Sequence, residues 1–267
     1  MKYLKKNKSL LIGLIITGIV LALALIGLFW TPYSTTEMST TYKLSPPSAA
    51  HWFGTDNYGR DIFSRIMQGM GTTFIVSITT VVFGMIVGTV IGMVAGYVGG
   101  WFDEVIMRIN DVLNAFPSVL LALVFVSFMG TGLLNIILAL GILFIPSFAR
   151  ITRSEMLRLK SLQFVQSAQL SKAKHARIIF AHILPNALAT IFASAAVGFN
   201  NAVLAEASLS YLGLGVQPPT ASLGRMISEA GSYLVQAPWF AIAPGVAIII
   251  LVMGITLISE GLTKIEQ

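Results

Sequence analysis

Cysteine is absent from the 267 residues, and charged residues make up only 10% of them. The lack of cysteine excludes disulfides, thiolate metal ligands and a cysteine nucleophile, and it leaves the redox compartment open. A soluble globular domain has about 25% charged residues, so the low charge excludes an ordinary soluble domain. With 55% hydrophobic residues and a mean hydropathy of +0.82, the composition indicates an integral membrane protein.

Motifs for nucleotide binding and hydrolysis are also missing. No glycine is followed directly by lysine, which excludes the GxxxxGK[ST] loop that cradles nucleotide phosphates. Neither HExxH nor GxSxG occurs, and His51, His175 and His182 are too scattered to indicate a metal cage. We therefore expect a chain that is not an enzyme and that holds no metal and no cofactor itself.

Long apolar runs predict six membrane-spanning helices, because about 20 apolar residues cross the hydrocarbon core. The first run, Leu10–Trp30, is longer than the apolar core of a cleaved signal peptide, so we expect a retained anchor. The other expected spans are 72–97, a third that follows a turn at 99–110 and ends near 129, 136–148 with Pro146 kinking or ending it, 187–204 and 239–258. The predicted fold is an all-α polytopic membrane protein, divided into an N-terminal helix and external loop at 1–71 and a five-helix core at 72–267.

Glycine recurs every four residues in the second predicted span, at Gly84, Gly88, Gly92 and Gly96. Such a row makes a smooth helix face that allows another helix to approach closely, and we favour this packing role. The alternative is that the row reflects only the general abundance of glycine in membrane helices.

Positive charge is distributed unevenly between the two predicted sides of the membrane. One side holds Lys2, Lys5, Lys6, Lys8, Arg108, Arg150, Arg153, Arg158, Lys160, Lys172, Lys174, Arg177 and Lys264. The other side holds Lys43, Arg60, Arg65 and Arg225. The positive-inside rule makes the first side cytoplasmic, so we expect a multi-pass cell-membrane protein with both termini in the cytoplasm. The net charge of +6 is then a topology signal and does not indicate nucleic acid.

A basic amphipathic segment, Phe164–Pro185, separates two of the apolar runs on the predicted cytoplasmic side. Apolar residues at helical spacing, with small Ser167 and Ala168 beside them, predict a short helix that another protein surface can approach closely. Pro185 suits the first turn of the helix that follows. We expect this coupling segment to extend over 150–186.

Three blocks of the sequence resemble the permeases of ABC importers. The segment Phe164–Pro185 is similar to their cytoplasmic coupling motif, which is Glu-Ala-Ala, three residues, glycine, and nine residues before a closing hydrophobic-x-Leu-Pro. Phe53–Arg65 matches the FGTDxxGRDxxSR block of the dipeptide, oligopeptide and nickel branch at each fixed position. Ala205–Thr220 is similar to the AExxLSFLGLGxQPPT block of the same branch.

The resemblance implies that the coupling contacts lie on Gln166, Ser167, Ala168, Lys172, Leu184 and Pro185. Gln166 stands where the family has an acidic residue, Ser167 where it has alanine, and Lys172 where it has glycine. His182 replaces the closing hydrophobic residue. We expect the turn and any charge contact with the ATPase to differ in detail from the family pattern.

The resemblance also implies partners and a mechanism. The chain would have the type I ABC importer permease fold and form half of a pathway for di- or oligopeptides, or for nickel or a metal chelate. Its partners would be a second homologous permease in a heterodimer, two cytoplasmic ABC ATPases that bind ATP and Mg, an extracytoplasmic binding protein and membrane lipid, with no nucleic acid. ATP-driven closure of the ATPases would then drive alternating access.

External-loop residues are candidates for docking the binding protein. They are Leu212, Gly213, Gly215, Pro218 and Pro219. The alternative, which we weigh equally, is that glycine and proline here only shape an ordered loop.

Polar residues near the expected spans are further candidates, because such groups are costly in a membrane. Asn200, Asn201 and Glu206 are candidates for lining the pathway. For Asn110, Asp111 and Asn114 we favour a structural role over substrate contact, with Asp111 paired to Arg108.

The external block contains four charged residues, which we expect to form an ion-paired scaffold rather than a substrate site. They are Asp56, Arg60, Asp61 and Arg65.

Two other classes of protein compete with an ABC permease. An ion-coupled secondary transporter of small polar solutes would show inverted repeats and charges at mid-membrane, and we find no convincing example of either. A membrane-embedded hydrolase is disfavoured because no nucleophile and base motif is present.

Overall fold

A computed structural model describes residues 8–266, which form helices joined by turns and loops. The helices are α1 Lys8–Phe29, α2 Ile62–Val98, α3 Gly100–Asn114, α4 Ser118–Met129, α5 Leu133–Lys160, α6 Gln163–Leu170, α7 Leu184–Tyr211, α8 Leu223–Ala230 and α9 Pro238–Glu266. A helical turn, His175–Arg177, and a π-helical stretch, Ile178–Ile183, lead into α7. The predicted cytoplasmic charges Lys2, Lys5 and Lys6, and the side chain of Lys264, lie outside what is described.

Five helical stretches of the described chain are long and apolar enough to cross a membrane: α1, α2, α5, His175–Tyr211 and the Pro238–Gly261 part of α9. The helices α3 and α4 pass the same test only together, and they are bent by 92° at the break between them. Counting this pair as one span gives six. The predicted all-α polytopic fold is therefore confirmed.

The second span begins earlier than predicted, because a polar cap starts α2 inside the external block. The Asp61 side chain accepts hydrogen bonds from the Ser64 backbone amide at 2.8 Å and from the Ser64 hydroxyl at 2.7 Å. This cap satisfies one backbone amide of the first helical turn, so the helix starts at Ile62 and not near Thr72. The division placed at residue 71 falls within α2.

Two other expectations about the spans are wrong, and one of the two outcomes expected at Pro146 is excluded. The third span is not continuous, because Pro117 has an extended backbone (ψ 124°) between α3 and α4. Pro146 does not end the fourth span, since α5 continues through it to Lys160. The fifth span does not stop near Leu204, and α7 includes Glu206 and ends at Tyr211.

The glycine row of α2 packs directly on α5, which confirms the packing prediction. A Cβ atom built on Gly84 would lie 2.6 Å from the Cβ of Phe144, and one built on Gly88 would lie 2.6 Å from the Ile145 carbonyl oxygen. At Gly92 the added atom would overlap the carbonyl group of Ala149. The two backbones are therefore in contact over several turns, and a larger side chain cannot enter without moving a helix.

The helices α1 and α9 pack together in the same way and enclose the core from the other side. A Cβ on Gly13 would lie 2.9 Å from the Gly254 carbonyl oxygen of α9. On the same helix, a Cβ on Gly27 would lie 2.5 Å from the Met67 carbonyl carbon of α2, so α1 also packs on α2. The buried side chains of α1, α2, α7, α8 and α9 share one apolar cluster. The N-terminal helix is therefore packed on the core helices.

The predicted ion-paired scaffold is confirmed and is larger than expected, because it includes a residue from α8. Asp56 pairs with Arg60 at 2.6 Å and with Arg65 at 3.6 Å. Glu229 on α8 pairs with Arg60 at 3.2 Å and with Arg65 at 3.3 Å. Asp61 contacts His51 at 2.9 Å. The external loop, the start of α2 and α8 are thus joined by charges that are nearly buried.

Replacing Gly88 with alanine is expected to destabilise the fold by about 1–3 kcal/mol, because the added methyl group must separate α2 from α5. Gly18→Ala is the matched control, since a Cβ at Gly18 meets nothing within 4 Å. The measurement is the temperature at which the detergent-purified protein loses its monodisperse size-exclusion peak. Equal temperatures for the two variants would contradict the packing assigned to the glycine row.

Replacing Arg65 with methionine is expected to cost about 3–5 kcal/mol, because it leaves Asp56 and Glu229 without one of their buried partners. The control is Arg158→Met, whose pair with Glu155 leaves the arginine side chain 57% exposed and should change stability little. The same thermal assay compares the two. If Arg65→Met is as stable as Arg158→Met, the scaffold does not hold the external loop.

Candidate functional site

The segment between α5 and α7 contains the coupling residues predicted from the sequence, and an apolar cluster holds it in place. The short helix α6 buries Val165 completely. Val165 packs in a cluster with Met156 and Leu159 of α5 and with Ile178 of the π-helical stretch.

 Because Leu159 lies in the last turns of α5, a displacement of α6 would also displace the end of a helix that crosses the membrane.

The turn that ends α6 is kept although lysine stands at the position where the family has glycine. Lys172 has a left-handed backbone, with φ of 55°. The Ala173 amide donates to the Ala168 carbonyl at 3.1 Å, and the Lys172 amide donates to the Gln169 carbonyl at 2.9 Å. These two bonds form a Schellman motif, in which glycine is the usual left-handed residue. The turn is therefore kept, at a backbone cost of about 1 kcal/mol for a residue with a Cβ.

Three of the six predicted coupling residues meet at one open groove of about 650 Å³: Ser167, Ala168 and Lys172. Gln166 lies outside the lining, and its side-chain amide donates to the Ser161 carbonyl at 3.1 Å. Leu184 and Pro185 begin α7, where the proline lies in the first turn as predicted.

The lining of this coupling groove is basic, and its border is apolar. Lys172, Lys174, Arg177 and His182 line it without an acidic residue. Leu170 at the end of α6 is 85% exposed. An exposed apolar side chain beside clustered positive charge suits contact with an acidic protein surface.

Polar contacts that the sequence did not reveal tie the coupling segment to α2 and α5. The Tyr97 hydroxyl is hydrogen-bonded to His175. Lys160 donates to the Tyr97 carbonyl at 2.7 Å and lies 5.1 Å from the centre of its ring. No sequence signal could have found this set, because the three residues are far apart in the chain and belong to no motif.

The three predicted pathway residues have different surroundings. The Asn200 side-chain amide donates to the Thr256 hydroxyl of α9 at 2.9 Å. Glu206 is fully buried and accepts hydrogen bonds from Thr73 at 2.8 Å and Ser210 at 2.6 Å. Asn201 lines a cavity of about 480 Å³ between α4, α5 and α7.

The predicted pair between Asp111 and Arg108 is wrong. The Asp111 carboxylate instead accepts a hydrogen bond from Arg150 on α5 at 2.7 Å. The partner could not be read from the sequence, because it depends on how α3 lies against α5.

The loop after α7, which the sequence predicts to be external, is ordered by its own hydrogen bonds. Leu212 caps α7, and Gly213 follows with a left-handed backbone, φ 82°. The Gln217 side chain donates to the carbonyls of Gly213 at 3.0 Å and Gly215 at 2.9 Å. Gly215 is buried, while Leu212, Pro218 and Pro219 are exposed, so these three are the docking candidates that a partner can reach.

Nothing in these sites has the arrangement of a metal centre. Among residues 8–266, no group of three or more His, Asp or Glu side chains could hold a metal ion. The chemistry that the coupling groove and the cavity offer is surface contact and hydrogen bonding.

Comparisons with known proteins agree over nearly the whole chain. The family described as "Binding-protein-dependent transport system inner membrane component" matches residues 88–265, and "N-terminal TM domain of oligopeptide transport permease C" matches residues 1–47. The dipeptide transport system permease protein DppC of Alkalihalophilus pseudofirmus is 42% identical over 261 residues, covering 98% of this chain and 86% of the relative. The glutathione transport system permease protein GsiD of Salmonella paratyphi A is 45% identical over 255 residues, covering 94% of this chain and 84% of the relative.

Solved structures share the fold at low sequence identity. The MetNI methionine ABC transporter in an inward-facing conformation aligns with a TM-score of 0.65 at 18% identity, covering 76% of this chain and 96% of that one. An amino acid ABC transporter crystallised with histidines aligns with a TM-score of 0.57 at 19% identity, covering 76% and 92%. With the family match and the relatives at 42% and 45% identity, the chain belongs to the binding-protein-dependent transport system inner membrane components, the permease subunits of ABC importers.

Proposed function

We propose that this permease imports di- or oligopeptides and forms half of the translocation pathway. The observation that carries the coupling mechanism is the basic groove of α6, which is built where the coupling motif falls and is packed on the ends of the spans. The relatives' names refer to dipeptide, glutathione and peptide transport, so peptide cargo is favoured over nickel or a metal chelate.

The assembly that we propose contains four further subunits. A second homologous permease completes the pathway as a heterodimer, two cytoplasmic ABC ATPases bind ATP and Mg, and an extracytoplasmic binding protein delivers the cargo. The distribution of positive charge supports a cytoplasmic location of both termini and of the coupling groove. The exposure of Leu212, Pro218 and Pro219 supports contact between this loop and the binding protein on the opposite side.

Motion would pass from the ATPases through α6 into the membrane. A push on the coupling groove acts on Val165, and the apolar cluster transfers it to the ends of α5 and α7. The contacts of Tyr97 with Lys160 and His175 carry the same displacement to α2. Because α2 and α5 touch backbone to backbone through the glycine row, they move as one block and re-orient the pathway.

Reconstitution tests the proposed function. The proteoliposomes contain both permeases and the ATPases, and dialanine-loaded binding protein is added outside. We expect them to accumulate the peptide only when ATP is inside the vesicles, on the side of the ATPases. Replacing the phosphate-binding lysine of the ATPases is the control and should abolish uptake. Uphill uptake by the permeases without ATPases would overturn the proposal.

The variant Lys172→Glu is expected to weaken ATPase binding about tenfold, because it places a negative charge in a groove that is complementary to an acidic surface. Lys172→Gly should retain the turn, since glycine adopts the left-handed backbone freely, and should lose only the charge contact. Co-purification of the ATPases at several salt concentrations measures both effects.

The matched control is Lys43→Glu, which makes the same change in net charge on the external loop. It should leave ATPase co-purification and uptake unchanged. Wild-type assembly and transport in both Lys172 variants would eliminate a charge contact at this position.

A further inference from the structure

The cavity of about 480 Å³ between α4, α5 and α7 is large enough for a small solute, since ligand sites measure about 300–1,000 Å³. The break between α3 and α4 borders it, because Asn114 at the end of α3 and Ser118 at the start of α4 both line it. Five polar side chains line it among apolar residues: Asn114, Ser118, Ser147, Asn201 and Ser208.

Three of these side chains have no hydrogen-bond partner within residues 8–266, although each is on a helix of a membrane span. Ser118, Ser147 and Asn201 come from α4, α5 and α7, and all three are exposed to the cavity. Polar groups at membrane depth are costly unless they meet protein, water or a solute. Three helices thus present free donors and acceptors to one space.

The other two polar side chains are positioned by their own helices and keep acceptor capacity. The Asn114 amide nitrogen donates to the Asn110 carbonyl at 3.0 Å, which leaves its oxygen free. The Ser208 hydroxyl donates to the Leu204 carbonyl at 2.7 Å, and its lone pairs remain available.

The lining contains no charged residue. Glu206 lies on α7 close to the lining but turns away, and Thr73 and Ser210 bind its carboxylate. Asp111 and Arg150, one helical turn from the lining, neutralise each other at 2.7 Å. The wall that this chain contributes therefore offers hydrogen bonds and no net charge.

We propose that this wall binds the amide backbone of a short peptide that has no net charge, through hydrogen bonds and without an ion pair. Asparagine amides and serine hydroxyls both donate and accept, as peptide groups do. The terminal ammonium and carboxylate are common to all three test peptides, whereas a charged side chain would be desolvated here without compensation, so the wall disfavours peptides with a charged side chain. This role presupposes the proposed function as a peptide permease and adds a preference of the permease to that of the binding protein.

The test uses the complete importer in proteoliposomes with saturating, loaded binding protein. Maximal uptake rates are measured for dialanine, anionic alanyl-glutamate and cationic alanyl-lysine. Asn201→Lys is expected to shift the ratio of anionic to neutral uptake upward by about tenfold, because it places a positive charge in the wall. Ser147→Asp should shift the ratio of cationic to neutral uptake upward by a similar factor.

Thr131→Lys is the control, because it adds the same charge in the exposed turn between α4 and α5, outside the cavity lining. Its uptake ratios should equal those of the wild type. Unchanged ratios in Asn201→Lys and Ser147→Asp would overturn the cavity assignment, whereas ATP-driven uptake by the wild type would still support the proposed function. Absence of ATP-driven uptake by the wild type would overturn both.

A second measurement covers charged variants that do not assemble, and it uses the absence of cysteine from this chain. Ser147→Cys and Asn201→Cys are labelled with a water-soluble maleimide, and the gel shift of this subunit is followed. With ATP present, dialanine-loaded binding protein should slow labelling relative to unloaded binding protein. Val197→Cys, at a position 53% exposed on α7 outside the lining, should show no such difference. Equal labelling with and without dialanine at both cavity positions would overturn the assignment.

Discussion

Backbone contact between α2 and α5 is the constraint on which the rest of the structure depends. In a bilayer the hydrophobic effect does not drive helices together, so close packing between small residues must do so. The row from Gly84 to Gly96 provides this contact over three helical turns. The coupling segment is attached to one end of the resulting block, and the buried ion pairs of the external loop are attached to its other end. A rigid block that is attached to a different part of the chain at each end suits a gate that is moved from one side.

Charge is used differently in the three parts of the molecule. The external scaffold pairs nearly buried charges, which fixes the loop before α2 and orients α8. The coupling groove leaves its positive charges exposed, so they are free to contact another protein. The cavity lining excludes charge altogether, because Glu206 is withdrawn and Asp111 is paired with Arg150. Membership of the ABC importer family excludes the alternative of an ion-coupled secondary transporter.

Several features were predictable because they depend on local sequence. The apolar runs required membrane spans, the glycine spacing required a close helix contact, and the charged block near Asp56 formed the expected ion pairs. The ends of spans were less predictable. A side-chain cap at Asp61 started α2 early, and α5 passed through Pro146 without ending. Such outcomes depend on hydrogen bonds and on packing that a hydropathy pattern does not contain.

The sequence by itself determined the class of protein, the all-helical membrane fold and the family, because composition, periodicity and motifs are properties of contiguous residues. Only the tertiary structure decided which polar groups meet. It gave Asp111 its partner, separated Asn201 from Asn200 and Glu206, and brought Ser118 and Ser147 to the same cavity. It also showed that Lys172 occupies a left-handed turn. These relations join residues from different helices or depend on one backbone angle, and the order of residues along the chain specifies neither directly.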